Sequence, residues 1–132
     1  MSKIGYYIVY YSLYTWMFLH ALLPLRVLYV LSDFLYILIY KLVGYRLKVV
    51  RTNLSNSFPE KSASELKKLE KEFYHHFCDY FVETIKVLHI SEKEIEKRIT
   101  FKNTELIKEL MKDGNSVLLY LGHYGTWEWV PS

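Results

Sequence analysis

"SVLLYL", residues 116–121, is a short apolar run standing between Gly114 and Gly122, and its reading decides the fold. Runs of about four to eight apolar residues bounded by glycine suit a strand buried on both faces. Everything ahead of it reads as helix. The expected fold class is therefore α/β: N-terminal membrane-anchor helices, a helical segment, and then the first strand of an incomplete α/β domain. A single strand leaves its backbone donors and acceptors unpaired, so the sheet has to be completed by further residues or by a second chain.

Backwards from that run, Gly114 suits the left-handed turn after a helix over 104–112. Ser91 with Glu94 has the spacing of a capping box and starts a short helix ending near Ile99. The same spacing recurs at Ser62 and Glu65, where it opens a long helix. Leu66, Leu69, Phe73, Phe77, Tyr80, Phe81, Ile85 and Leu88 form its expected buried stripe. Upstream, Leu47, Val50 and Leu54 recur at helical spacing until Phe58-Pro59 stops the helix, and Gly44 separates it from the apolar residues before it.

The N-terminal third is chemically different. Residues 4–25 contain no Lys, Arg, Asp or Glu, and a helix of that length rises about 33 Å against a hydrocarbon core of about 30 Å. A membrane-spanning helix is expected there. No small-x-small cleavage site follows Lys3, so the segment is expected to be retained. Residues 27–43, interrupted by Asp33, are too short to cross alone and suit an interfacial or re-entrant helix. Lys41, Arg46, Lys48 and Arg51 come next, with no acidic residue between Asp33 and Glu60. That basic band favours anionic lipid head groups over nucleic acid, and places the residues after 40 in the cytoplasm. The expected units are thus 1–44, an anchor, and 45–132, part of a larger domain. Thirteen tyrosines suit a membrane interface. The single Cys78 excludes an internal disulfide and disfavours a cysteine-based zinc site.

Directly after the apolar run comes "GHYGTWEW", residues 122–129. Placed on one regular helix, His123 and Glu128 would stand about 140° apart. With His123 on the turn and Glu128 in the first turn of a following helix, they can meet. A carboxylate accepting from one imidazole nitrogen raises the basicity of the other, which can then take a proton from an attacking hydroxyl. The alternative is that Glu128 complements a helix dipole and His123 fills a turn. The spacing alone is weak evidence, because His89 and Glu94 share it. There, a helix end and a capping box explain both residues.

"GHYGTWE" resembles the His-x4-Asp/Glu block of the lysophospholipid acyltransferase superfamily, most closely that of the bacterial lipid A biosynthesis acyltransferases, the lauroyl and myristoyl transferases. Their usual form is Gly-His-x-Gly-Asn-Trp-Glu. Arg51, Asn53, Leu54, Phe58, Pro59 and Glu60 are similar to that family's Arg-x-Asn-Leu and Phe-Pro-Glu segment, and Thr126 departs from it by replacing the usual Asn. The resemblance implies His123 as general base, Glu128 as the residue that orients it, and Gly125 and Thr126 as substrate contacts. It implies acyl-acyl carrier protein as donor, a hydroxyl of a lipid A precursor as acceptor, and neither cofactor, metal nor nucleic acid. The expected location is the bacterial inner membrane, with the active-site domain on its cytoplasmic face. It also implies that these residues are the N-terminal portion of a longer protein, inactive alone. Two other functions fit the same residues: acylation of a glycerophospholipid, and a non-catalytic membrane-anchored remnant.

Other candidates have plainer readings. His75, His76 and Cys78 sit among Phe73, Phe77 and Phe81, a packing surface rather than a metal site. Asp33 reads as the wet side of an interfacial helix.

Overall fold

The computed structural model describes residues 3–130, so the outermost residues of both expected units, 1–2 and 131–132, lie outside the described residues. Six α-helices succeed one another: α1 (Lys3–Leu22), α2 (Leu25–Tyr36), α3 (Leu47–Ser57), α4 (Ala63–Lys86), α5 (Glu92–Glu96) and α6 (Thr104–Leu110). A π-helical stretch, Ile37–Val43, prolongs α2, and 3-10 turns lie at Val87–His89 and Trp127–Trp129.

α4 is the spine. It begins at a complete capping box: Glu65 N–H donates to the Ser62 hydroxyl, and Ser62 N–H donates to the Glu65 carboxylate at 2.8 Å. Ser62→Ala removes one acceptor from that reciprocal pair and is expected to lower stability by about 1 kcal/mol. A thermal melt unchanged by that substitution would count against the cap.

α2 lies along α4. The buried residues of α2 and its π-helical extension are Leu25, Leu28, Ser32, Tyr36 and Tyr40; those of α4 are Glu70, Tyr74, Cys78 and Val82. Steps of three and four keep each set on one helix face. Leu25, Leu28, Val82 and Trp129 form one apolar cluster, and Tyr36, Tyr40, Tyr74 and Cys78 form the other. Between them, Ser32 donates to Asp79 at 2.6 Å.

The buried stripe of α4 lies beside the one its sequence suggests. Phe73 and Phe81 are 42% and 52% exposed. The stripe that faces α2 carries polar atoms, and each finds a partner. Glu70 accepts from the Tyr40 hydroxyl at 2.8 Å, from Arg51 Nε at 2.7 Å and from Lys67 Nζ at 2.7 Å. The Tyr74 hydroxyl donates to the Tyr45 carbonyl. Burying polar groups that keep their hydrogen bonds costs little, and the small Cys78 lets the two helices approach closely.

At the other end of α2, Gly44 at φ 66° ends the π-helical stretch. A Cβ there would stand 3.0 Å from Leu47 Cδ1. The chain then bends by 96° into α3.

Two expectations are corrected. The first is the α/β class, because no strand forms among the described residues. Residues 115–121 have no regular structure, with Leu118 and Tyr120 77% and 88% exposed. Apolar composition favours a buried strand only where a neighbouring strand can take its backbone hydrogen bonds, and none lies beside it among the described residues. The second is the spanning helix over 4–25. α1 stops at Leu22, and no single described helix is long and apolar enough to cross a membrane. Its 20 residues would rise about 30 Å, so apolarity is what fails. Five of those residues are tyrosines, and Tyr6, Tyr10 and Tyr14 stack along one face. Lack of ionised groups is not the same as lack of polar ones. Only the far end of α1 meets the core: Ala21 is buried, and Lys86 donates to the Ala21 and Leu23 carbonyls at 2.7 and 3.0 Å.

The second capping box does not form either. Ser91 precedes α5 without a side-chain cap, and Glu94 accepts instead from Arg98 at 2.7 and 3.0 Å. A guanidinium one helical turn away is a stronger partner than a backbone N–H.

Candidate active site

Residues 122–130 leave the irregular run in two tight steps. Tyr124 N–H closes on the Gly122 carbonyl at 2.8 Å, and Gly125 takes φ 60°. A Cβ on Gly125 would meet nothing within 4 Å, so backbone conformation rather than space favours glycine there. The 3-10 turn Trp127–Trp129 comes next, closed by Trp129 N–H to the Thr126 carbonyl at 3.1 Å.

Side-chain contacts fasten this turn to the helices. Trp129 is buried against Leu25, Leu28 and Val82. Thr126 donates its hydroxyl to Glu83 at 2.6 Å, and the other oxygen of Glu83 accepts from Tyr29 at 2.8 Å. The Tyr80 hydroxyl donates to Glu128. Tyr80 and Glu83 are three residues apart on α4 and so share a face. Burial, and after it the hydrogen bond to Glu83, pushes the Tyr29 phenol up to about 12. The hydrogen bond to Glu128, with burial second, raises Tyr80. Both phenols therefore remain donors at neutral pH, which keeps the two carboxylates in place.

His123 lies outside this anchored set. Its ring is exposed and packs edge-on against Trp127, with centroids 4.5 Å apart. The two residues of the expected dyad thus belong to one short segment, but no hydrogen bond or ion pair joins His123 to Glu128 among the described residues. Glu128 comes after a non-helical Thr126 in a single 3-10 turn rather than in the first turn of a longer helix. Gly125 is exposed beside His123, while the Thr126 hydroxyl is engaged by Glu83.

Tyr29, Tyr80 and Glu83 escape a reading of the sequence. Tyr80 counts there as part of an apolar stripe, and the one signal in the sequence is a carboxylate one helical turn after a tyrosine. The other histidine with the same spacing is set apart by its surroundings: His89 meets Phe18 edge-on at 5.7 Å, and its apparent partner Glu94 is bound to Arg98. His75 stacks on Tyr36 with centroids 3.6 Å apart, a packing role. Among the described residues no group of three or more His, Cys, Asp or Glu is placed to hold a metal.

No curated protein and no solved structure matches the chain. A family model described as bacterial lipid A biosynthesis acyltransferase matches residues 1–131. That match covers essentially the whole sequence, anchored turn included, and the chain belongs to this family of acyltransferases.

Proposed function

We propose that the protein acts in transferring a fatty acyl chain from acyl-acyl carrier protein to a hydroxyl of a lipid A precursor, with His123 as general base and Glu128 as its orienting carboxylate. In this reaction an imidazole nitrogen of His123 takes the hydroxyl proton as the oxygen attacks the thioester carbonyl. The collapsing intermediate expels the carrier thiolate, which takes the proton back from the imidazolium. The ester forms, the thioester breaks, and no covalent enzyme intermediate is needed. Gly125 and Thr126 are read as the substrate contacts beside His123.

The observation that carries this reading is the division of labour within one turn. Glu128 is fixed to α4 through Tyr80, and Trp129 is sunk in the core, while His123 stays exposed. A proton acceptor on the surface of a docked segment is reachable by a lipid hydroxyl. For the dyad to form, the His123 ring has to turn from the edge of Trp127 toward Glu128.

The cytoplasmic face of the inner membrane is the location this reading requires. Its support is the corner where the π-helical stretch meets α3: Leu42, Val43 and Tyr45 are exposed there beside Lys41, Arg46 and Lys48. Apolar side chains flanked by cations complement an anionic bilayer surface. Residues 1–44 are accordingly assigned to membrane contact and 45–132 to the acyltransferase domain, with α2 serving both because one of its faces packs on α4.

A non-catalytic membrane-bound module is the competing reading, favoured by the engagement of Glu128 with Tyr80 rather than His123. The two part in one assay. Acyl incorporation from acyl-acyl carrier protein into a tetra-acylated or penta-acylated precursor is expected to fall about 1,000-fold in His123→Ala. Because His123 is exposed, the fold is expected to survive. Transfer undiminished by the substitution favours the module.

A further inference from the structure

Where α1 ends and α2 begins, the chain leaves a cavity of about 600 Å³ against the end of α4 and the start of α5. Its lining is unusually one-sided in charge. Arg26, Lys86, His89 and Arg98 face it together with a single carboxylate, Glu94. That carboxylate is already taken, by Arg98 at 2.7 Å and by Lys97 at 3.9 Å.

Two cations are left over. Among the described residues no carboxylate forms an ion pair with Arg26 or Lys86. Lys86 donates to two neutral carbonyls, those of Ala21 and Leu23. An ammonium has three N–H groups, so one remains. Burial pushes the Lys86 ammonium below the ordinary lysine value, outweighing the opposite pull of the Glu94 carboxylate. The N-terminus of α2, twelve residues long with no acidic residue in its first turn, opens at the same place and adds partial positive charge.

The rest of the lining is Ser91 and four apolar residues, Leu22, Pro24, Leu25 and Ile90. Cations alone would serve a free inorganic anion. Cations above an apolar floor suit an anion attached to hydrocarbon.

We infer that this cavity binds a phosphate monoester at the head of a lipid, with Arg26, Lys86 and the start of α2 meeting the phosphate oxygens and Leu22, Leu25 and Ile90 meeting the first carbons behind it. Arg98 ties the site to the anchored turn. It also lines a smaller cavity, about 220 Å³, together with Tyr29, Glu83, Thr126 and Trp129. A lipid held by its phosphate here stands one side chain away from the segment that carries His123. The inference does not require acyl transfer, since binding can be measured in a protein that transfers nothing.

The test is a calorimetric titration of the full chain, in a non-ionic detergent, with dihexanoyl phosphatidic acid, dihexanoyl phosphatidylcholine and inorganic phosphate. Phosphatidic acid is expected to bind at least ten times more tightly than either of the others. Arg26→Glu, at an exposed position, is expected to weaken it at least tenfold with an unchanged circular dichroism spectrum. Lys108→Glu, the same charge change at an exposed position on α6, is expected to leave it unaltered. No binding of phosphatidic acid overturns the inference. So does equal binding of phosphatidylcholine, which shows indifference to the monoester, or of inorganic phosphate, which shows that the apolar floor contributes nothing. Equal losses in Arg26→Glu and Lys108→Glu also overturn it, because they would reflect net charge rather than a site.

Discussion

Glu70→Gln is expected to lower the stability of the protein by about 2 to 3 kcal/mol at neutral pH, and to remove most of its sensitivity to mild acid. Glu70 is 2% exposed and ties three elements together, through Tyr40 of the π-helical stretch, Arg51 of α3 and Lys67 of α4 itself. Burial by itself would push its carboxyl up. The hydrogen bonds from Arg51, Lys67 and Tyr40 outweigh that and hold it at about 2, against an ordinary value of 4.5. A carboxyl depressed in the folded state contributes stability that is complete above the unfolded value and is lost as pH falls toward the folded one. The window is therefore from about 4.5 down to about 2. A difference of one pH unit between the folded and unfolded values corresponds to about 1.4 kcal/mol, reduced here because Arg51 and Lys67 are half exposed and partly screened. Thermal melts at pH 6 and pH 3 check this: the wild type should lose about 2 kcal/mol between them and Glu70→Gln much less. Equal losses would mean that Glu70 is not the ionised hub.

Trp129→Ala is expected to destabilise the protein by about 3 kcal/mol and to free the turn that carries Glu128. The indole fills the cluster of Leu25, Leu28 and Val82, which no other part of residues 111–130 reaches as a buried residue. Removing it leaves a cavity at the point where the C-terminal segment meets the helices. The hydrogen bonds from Thr126 to Glu83 and from Tyr80 to Glu128 then carry more of the work of holding the turn, and each is worth only about 1 to 2 kcal/mol. Trp129→Phe separates packing from polarity. The Trp129 Nε1 finds no acceptor among the described residues, so phenylalanine loses some contact area and also an unsatisfied buried donor. It is expected to cost well under half of what alanine does. Melting temperatures rank the three proteins, and amide hydrogen exchange at residues 126–130 reports the release of the turn. Exchange as slow in Trp129→Ala as in the wild type would show that the turn is not held by this side chain.

Most helices are readable in the sequence because their signals are local. Ser62 and Glu65 start α4, Phe58-Pro59 ends α3, and Gly44 ends the π-helical stretch, each through contacts within a few residues. The misreadings share a different origin. Ser91 and Glu94 have the right spacing for a cap, but Arg98 competes for the carboxylate. Residues 116–121 have the composition of a strand, yet strand formation depends on a neighbour that local composition does not contain. Residues 4–25 lack ionised groups, but tyrosine hydroxyls leave α1 short of the apolarity a span requires.

The site divides in the same way. His123, Gly125 and Glu128 are visible as a pattern because the family's block is contiguous. Their supports are not, because Tyr29, Tyr80 and Glu83 come from helices that precede the turn by more than 40 residues, as the spacings of 48 and 43 in the Tyr80–Glu128 and Glu83–Thr126 pairs show.

By itself the sequence determined where α3 ends and α4 begins, and to which family the chain belongs, since capping, helix-breaking residues and a contiguous block are all short-range properties. Only the tertiary structure decided which face of α4 is buried. Hydrophobicity points to Phe73, Phe77 and Phe81, but Glu70, Tyr74, Cys78 and Val82 go inside, because Arg51, Tyr40 and the Tyr45 carbonyl arrive from other elements to satisfy the polar atoms of that face. The same dependence on distant partners governs "SVLLYL", which with no neighbour for its backbone among the described residues remains an exposed, irregular lead-in to the turn that holds His123.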